Sequence, residues 1–150
     1  MAKKAATMTI NQERDVYEAI GAFVFHFSQL EFTIRARLQR VLLLKPGYSD
    51  IVIGGYDFAM LCTVTREAVL ARKRISDKRK KLIKSFFNDC HGLANPSRNI
   101  VAHALWTTGG ASHVSRNSLQ RSLHYSDLND LRALTTKAKA LMMRMFRPKI

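Results

Sequence analysis

The chain is poor in the residues that staple, break or redirect a backbone, with 2 cysteines, 3 prolines and 7 glycines in 150 residues. Cys62 and Cys90 stand alone, with no CxxC or Cys/His ligand spacing. Neither a disulfide framework nor a structural zinc site is indicated, and two buried thiols are expected. His26, His91, His113 and His124 form no HExxH or HxxxH pattern and are read as structural or surface residues, so no metal or other cofactor is expected. There is no GxGxxG, no Walker-type GxxxxGK[ST] and no GxSxG, which argues against dinucleotide binding, P-loop hydrolysis and α/β-hydrolase chemistry. No apolar run approaches the roughly 18 residues of a membrane span. Residues Met1 to Thr7 lack the apolar region of a signal peptide, and a cytoplasmic location is expected.

Negative charge is scarcest of all. The 11 Asp and Glu face 25 Lys and Arg, leaving a formal charge of +14. That is more than solubility requires and predicts a polyanionic partner, nucleic acid in preference to a membrane surface. A hydrophobic content of 47% over this length is enough for one compact domain with its own core, residues 1–150. Residues 1–10 and 147–150 are expected to be flexible basic tails.

The apolar residues that remain are ordered in helical periods. Between Gln12 and Leu44, Val16, Ile20, Phe23, Phe27, Leu30, Ile34, Leu38 and Val41 recur every three or four positions and predict a long amphipathic helix. Phe25, Phe32, Ala36 and Leu43 fall on a second face and predict a second packing partner such as another subunit. Lys45-Pro46-Gly47 ends the helix, and a loop is expected as far as Tyr56. Asp57 is then the expected cap of a helix to about Lys73, with Leu61, Val64, Ala68 and Ala71 inward. A further helix from Ser76 or Asp77 carries Leu82, Ile83, Phe86, Phe87, Cys90 and Leu93 inward. Asn95-Pro96 reads as the cap and first turn of a new helical stretch containing Arg98 to His103. Leu105 to Thr108, a Gly109-Gly110 turn and Ala111 to Arg116 predict a β-hairpin. Ser126 is the expected cap of a last helix in which Leu128, Leu131, Ala138, Leu141, Met142 and Met145 share a face. The predicted fold is all-α, a bundle of four to five helices with a small hairpin inserted.

Chemistry concentrates in Arg98-Asn99-Ile100-Val101-Ala102-His103. An obligate cation, an amide and an imidazole are the groups needed for metal-free reaction at a phosphate. Asn99 and His103 lie four apart and share a helix face, whereas Arg98 and His103 diverge by about 140°. Either the helix start is distorted at Pro96, or a second subunit completes the site. Glu31 falls in the apolar stripe of the first helix and needs a partner; it either pairs with Arg35 one turn on or orients Arg98 or the His103 ring. Trp106 either caps the core or offers a stacking surface. The run Arg72-Lys73-Arg74, Lys78-Arg79-Lys80-Lys81 and Lys84 is read as a nucleic-acid-binding surface, with Arg72, Arg74, Lys78, Arg79, Lys80, Lys81 and Lys84 its contacts. The bland alternative is a solvated charged face.

These residues resemble the HEPN domains, small helical proteins with an Arg-polar-x(3)-His motif, and the resemblance covers most of the chain. Phe27-Ser28-Gln29-Leu30-Glu31 is similar to the acidic first-helix segment of many members, and His103-Ala104-Leu105-Trp106 to the exit from the motif helix. The resemblance implies a homodimeric, metal-independent endoribonuclease in which two motifs meet at the interface. Arg98 is then the phosphate-binding cation, His103 the general acid or base, and Asn99 the group that orients imidazole or substrate. The 2′-hydroxyl of RNA attacks, leaving a cyclic phosphate, and DNA is spared. The family context also implies a toxin or phage-defence role with an antitoxin partner. Two rival readings stand beside this one: a catalytically silent HEPN-like module that binds nucleic acid or a nucleotide, and a small basic DNA-binding protein in which Arg98 and His103 are structural.

Overall fold

A computed structural model describes residues 7–94, 97–115 and 117–146, with Ser97 described in its backbone only. The expected pair Asn95-Pro96, Arg116 at the end of the expected hairpin, and most of both expected tails lie outside these residues.

The longest element is α1, Ile10–Val41. Thr9 and Gln12 form a reciprocal capping box at its start, so Thr9 and Ile10 belong to an ordered helix end and not to a flexible tail. Its buried residues are Val16, Ala19, Phe23, Phe27, Leu30, Ile34 and Leu38; Ala19 joins the expected stripe, while the expected Ile20 and Val41 are only half-buried against the core. At about 1.5 Å per residue the helix is some 48 Å long, enough to serve as a spine for the rest of the chain.

The expected loop after α1 is a short helix, α2, Pro46–Ile53. Pro46 occupies the first helical turn behind an extended Lys45. There its missing N–H costs nothing and its fixed φ suits the helix, so the residue that ends one helix also starts the next. Arg35 of α1 locks the far end of α2 by donating to the carbonyl oxygens of Ile53 and, at 3.3 Å, Tyr56.

Helix α3, Phe58–Leu70, begins where expected, with the Asp57 carboxylate accepting from the Met60 N–H at 2.8 Å. Its buried face is Phe58, Leu61, Cys62, Thr65 and Val69, one step out of phase with the expected stripe; Ala71 is exposed. Thr65 can be buried because its hydroxyl donates to the Leu61 carbonyl at 2.6 Å. Helix α4, Asp77–Ala94, buries Ile83, Phe86, Phe87, Cys90 and Leu93, while Leu82 remains exposed. Cys62 and Cys90 are both free and buried. A hydrogen bond from one thiol to the other, together with burial, pushes the Cys90 pKa up and keeps it protonated.

After α5, Ser97–His103, the chain forms a three-stranded antiparallel meander in place of the expected hairpin: β1 Leu105–Thr107, β2 Gly110–Val114 and β3 Arg121–His124. Thr107 pairs with Gly110, so the turn is Thr108-Gly109 and Gly110 already belongs to β2. Helix α6, Leu128–Met145, is capped by Asp127, whose carboxylate accepts from the Asn129 N–H at 2.8 Å, and not by Ser126. It buries Leu131, Thr135, Ala138 and Leu141.

Among the described residues the mainly helical bundle holds, with six helices and a three-stranded sheet in place of the four to five helices and hairpin expected. α1 packs along α6 and α3, α3 packs on α4, and α4 reaches both α6 and α5. One buried cluster runs from Phe23 and Phe27 of α1 through Ile53, Leu61, Phe86 and Phe87 to Val101 of α5 and Leu141 of α6. Arg144 bonds Asp89 at 2.7 Å and lies 5.3 Å over the Phe86 ring, tying α6 to α4 at the core edge.

Gly110 has φ +110°, and a Cβ added there would come within 2.5 Å of the His124 carbonyl oxygen and 2.8 Å of that of Tyr125. Both the backbone angle and the backbone contacts exclude a side chain. Gly110→Ala is expected to cost about 2–3 kcal/mol in urea unfolding, with loss of sheet amide protection before helix protection in hydrogen exchange. Unchanged protection in β2 and β3 contradicts this account.

Candidate functional site

The site is built on α5, where two residues are fixed in the core while Asn99 and His103 remain exposed. Ile100 and Val101 are 2% and 5% exposed and anchor the helix to the core. The Ala104 N–H closes its last turn on the Ile100 carbonyl at 2.9 Å. With that face committed, Asn99 and His103 project outward together, as their spacing of four requires. They open onto a groove of about 720 Å³ between α5 and the sheet, within the roughly 300–1,000 Å³ typical of ligand sites.

The sheet supplies the rest of the groove. The pairings Leu105 with Ser112 and Val114 with Arg121 place these four residues on one face, and all four line the groove with Asn99 and His103. Ser115 and Asn117, from the turn into β3, close one end. His113 also lines it, but it alternates with Ser112 and Val114 and shares the opposite face with buried Ala111. The groove thus holds an amide, an imidazole and the Arg121 guanidinium.

Arg98 is not brought into this groove. Its guanidinium lies 5.6 Å from the centre of the Phe27 ring of α1, on the other side of α5. The divergence of about 140° expected from helix geometry is retained. Arg121 was missed from the sequence because it is eighteen positions beyond His103, and only the strand register carries it back.

Glu31 is also elsewhere. It is half-buried and pairs with Arg35 at 3.3 Å, and it makes no hydrogen bond or ion pair with Arg98 or His103 among the described residues. Arg35 explains the acid: a cation placed to hold the end of α2 is neutralised from its own helix, one turn back. The carboxylate in the apolar stripe is thus a structural partner of α2 docking.

The basic run divides. Arg72, Arg74 and Arg79 surround a cavity apart from the groove, with Arg37 of α1. Lys80 pairs with Asp77 at 3.3 Å, and Lys84 borders a shallow hollow with Arg66 and Asn88. Lys78 and Lys81 are exposed. The Ser76 hydroxyl accepts from the Arg79 N–H at 3.3 Å, which caps the start of α4 beneath the run.

Of the remaining histidines, His91 Nε2 lies 3.4 Å from the Thr63 hydroxyl and His124 Nε2 lies 2.7 Å from that of Ser122. His26 meets the edge of Phe25, and burial followed by the nearby Lys139 lowers its pKa. Trp106 is half-buried against the core and stacks on Tyr125 at 5.9 Å, the core-capping alternative. No group of three or more His, Cys, Asp or Glu among the described residues could hold a metal ion, and none of their helices is long and apolar enough to cross a membrane.

Because Arg98 rests on Phe27 at an exposed position, Arg98→Ala is expected to lower stability by about 0.5–1 kcal/mol, and Arg98→Lys to recover part of it. Equal urea midpoints for all three proteins contradict a packing role for the guanidinium.

Compared with models of protein families, with curated proteins and with solved structures, the chain finds no match. Its functional reading rests on the groove and the charge around it.

Proposed function

We propose that this protein is a metal-independent endoribonuclease of the HEPN type. The observation that carries the reading is that Asn99 and His103 stand side by side on an open groove with Arg121 facing them from the sheet. In the proposed reaction the RNA 2′-oxygen attacks the adjacent phosphorus, forming a 2′-O–P bond and breaking the P–O5′ bond. His103 transfers a proton at one of these oxygens, and Asn99 orients the ring or the strand. A guanidinium stabilises the charge that builds on the non-bridging oxygens. The products are a 2′,3′-cyclic phosphate and a 5′-hydroxyl, and DNA, lacking the nucleophile, is not cut.

In this reading Arg98 acts from a second copy of the chain. Within one copy it faces away from His103, whereas a symmetric dimer can bring one motif against the other. The face of α1 carrying Tyr17, Val24, Phe25 and Phe32, which are 63%, 49%, 59% and 69% exposed, supports such pairing. A toxin or phage-defence role in the cytoplasm, restrained by an antitoxin, belongs to the same proposal. The separation of Arg98 from His103 also favours a second reading, a HEPN-like module that binds nucleic acid or a nucleotide without cleaving it.

The test is incubation of single-stranded RNA and its DNA counterpart with the purified protein in EDTA. Cleavage of RNA alone to cyclic-phosphate ends, lost in His103→Ala and reduced in Arg121→Ala with the fold retained, is the expected result. Arg98→Ala and His103→Ala proteins, each inactive alone, are expected to regain cleavage when mixed and allowed to exchange subunits. Salt-sensitive binding without cleavage by any of them leaves the binding module.

A further inference from the structure

The small sheet has one face committed and one face open. Trp106 and Ala111 pair across β1 and β2 on the core side, Ala111 fully buried and Trp106 packed against the central cluster. Side chains alternate along a strand, so their neighbours point the other way. Leu105 pairs with Ser112 and Ser112 with Leu123, which sets these three residues in one row across the sheet. Val114 and Arg121 form the next row on the same face. At about 4.8 Å between strands, the two leucines stand about 10 Å apart with the serine between them. Leu105, Val114 and Leu123 are 69%, 47% and 60% exposed. Apolar side chains gathered on one exposed face beside polar groups mark a contact surface. This face is continuous with the groove: Leu105, Ser112, Val114 and Arg121 line it with Asn99 and His103, and Leu123 carries the row past its rim.

Charge identifies the occupant. No Asp or Glu occurs in the sequence between Asp89 and Asp127, a stretch that carries Arg98, Arg116 and Arg121. Among the described residues no carboxylate lines the groove. A second copy of the chain meeting this face about a two-fold axis would set the same acid-poor, cationic surface against itself. The complement is an anion that also offers flat apolar faces. A single strand of nucleic acid has both, phosphates along its backbone and unpaired bases whose faces are bare, whereas a duplex keeps those faces stacked inside. We propose that the open face of the sheet is a platform for the unpaired bases that flank the phosphate in the groove. Leu105, Val114 and Leu123 pack against the base faces, and Arg121 meets the phosphate. Aliphatic packing reads no base edge, so the platform selects unpaired strands without selecting a sequence. This inference rests on the nucleic-acid reading of the groove, in its cleaving or its silent form.

The test follows binding of labelled 2′-O-methyl RNA, which cannot be cleaved through its 2′-oxygen, by fluorescence anisotropy at fixed salt. The probes are a single strand, the same strand with abasic sites at its central positions, and its duplex. The parent is expected to bind the single strand at least about threefold more tightly than the abasic one. In Leu105→Thr/Leu123→Thr, which keeps strand-compatible residues at exposed positions, affinity for the single strand falls about tenfold, and affinity for the abasic strand and the duplex less than about twofold. Ile51→Thr/Val52→Thr, which removes exposed apolar residues from α2, leaves all three unchanged. Arg121→Gln weakens the single and abasic strands alike. Leu105→Thr alone gives an intermediate loss, which keeps the test valid if the double variant folds poorly. Equal affinity of the parent for the single and abasic strands, equal losses for all probes, or no loss in the leucine variant overturns the platform. So does a dimeric parent whose leucine variant sediments as a monomer, since the face then belongs to a second copy. Cleavage of unmodified RNA is scored separately. Base-dependent binding by a parent that does not cleave sinks the ribonuclease reading and leaves the platform, whereas His103-dependent cleavage with parental binding in the leucine variant does the reverse.

Discussion

The buried stripe of α1 is the constraint on which the other elements depend. Seven residues from Val16 to Leu38 recur at spacings of three and four along a helix of 32 residues, and only one straight line of contacts can satisfy them. α3 and α6 supply those contacts, and α4 covers both. The same stripe sets the level of the candidate site. Phe27 packs its ring against Phe58 at 4.5 Å and also lies under the Arg98 guanidinium at 5.6 Å. A side chain chosen for the core thereby also decides where a motif arginine rests.

Polar groups attached to this spine show how the fold manages its excess of positive charge. Where a cation must be half-buried for structural reasons, an acid accompanies it: Glu31 beside Arg35 under the end of α2, and Asp89 beside Arg144 at the edge of Phe86. Each acid prevents the cost of an unpaired charge in a partly dry place.

Much of the fold was legible because the deciding interactions are local. The α1 stripe, the Asp57 cap and the inward residues of α4 and α6 follow from spacing and from side chains that reach their own backbone. The misreadings have local causes too. Pro46-Gly47 was read as a terminator although proline suits a first turn equally well, and Ser126 stood beside a better cap in Asp127. Gly109-Gly110 looked like the turn, yet Gly110 is required one position later, in β2, where the carbonyls of His124 and Tyr125 leave no room for a Cβ. Strand β3, Arg121–His124, has no alternation of apolar and polar residues to mark it. The pairing of Asn99 with His103 was legible as an i, i+4 relation, while Arg121 reaches the groove only through strand register.

The divergence of Arg98 and His103 on one short helix has a consequence for any chemistry at this site. Ile100 and Val101 are buried between them, so rotating α5 to bring Arg98 into the groove would expose those residues and withdraw Asn99 and His103. The core therefore allows one of the two polar faces to meet the groove in a given copy, and it selects the face with the imidazole. A cation opposite His103 must come from outside α5, either from the sheet, as Arg121 does, or from another molecule.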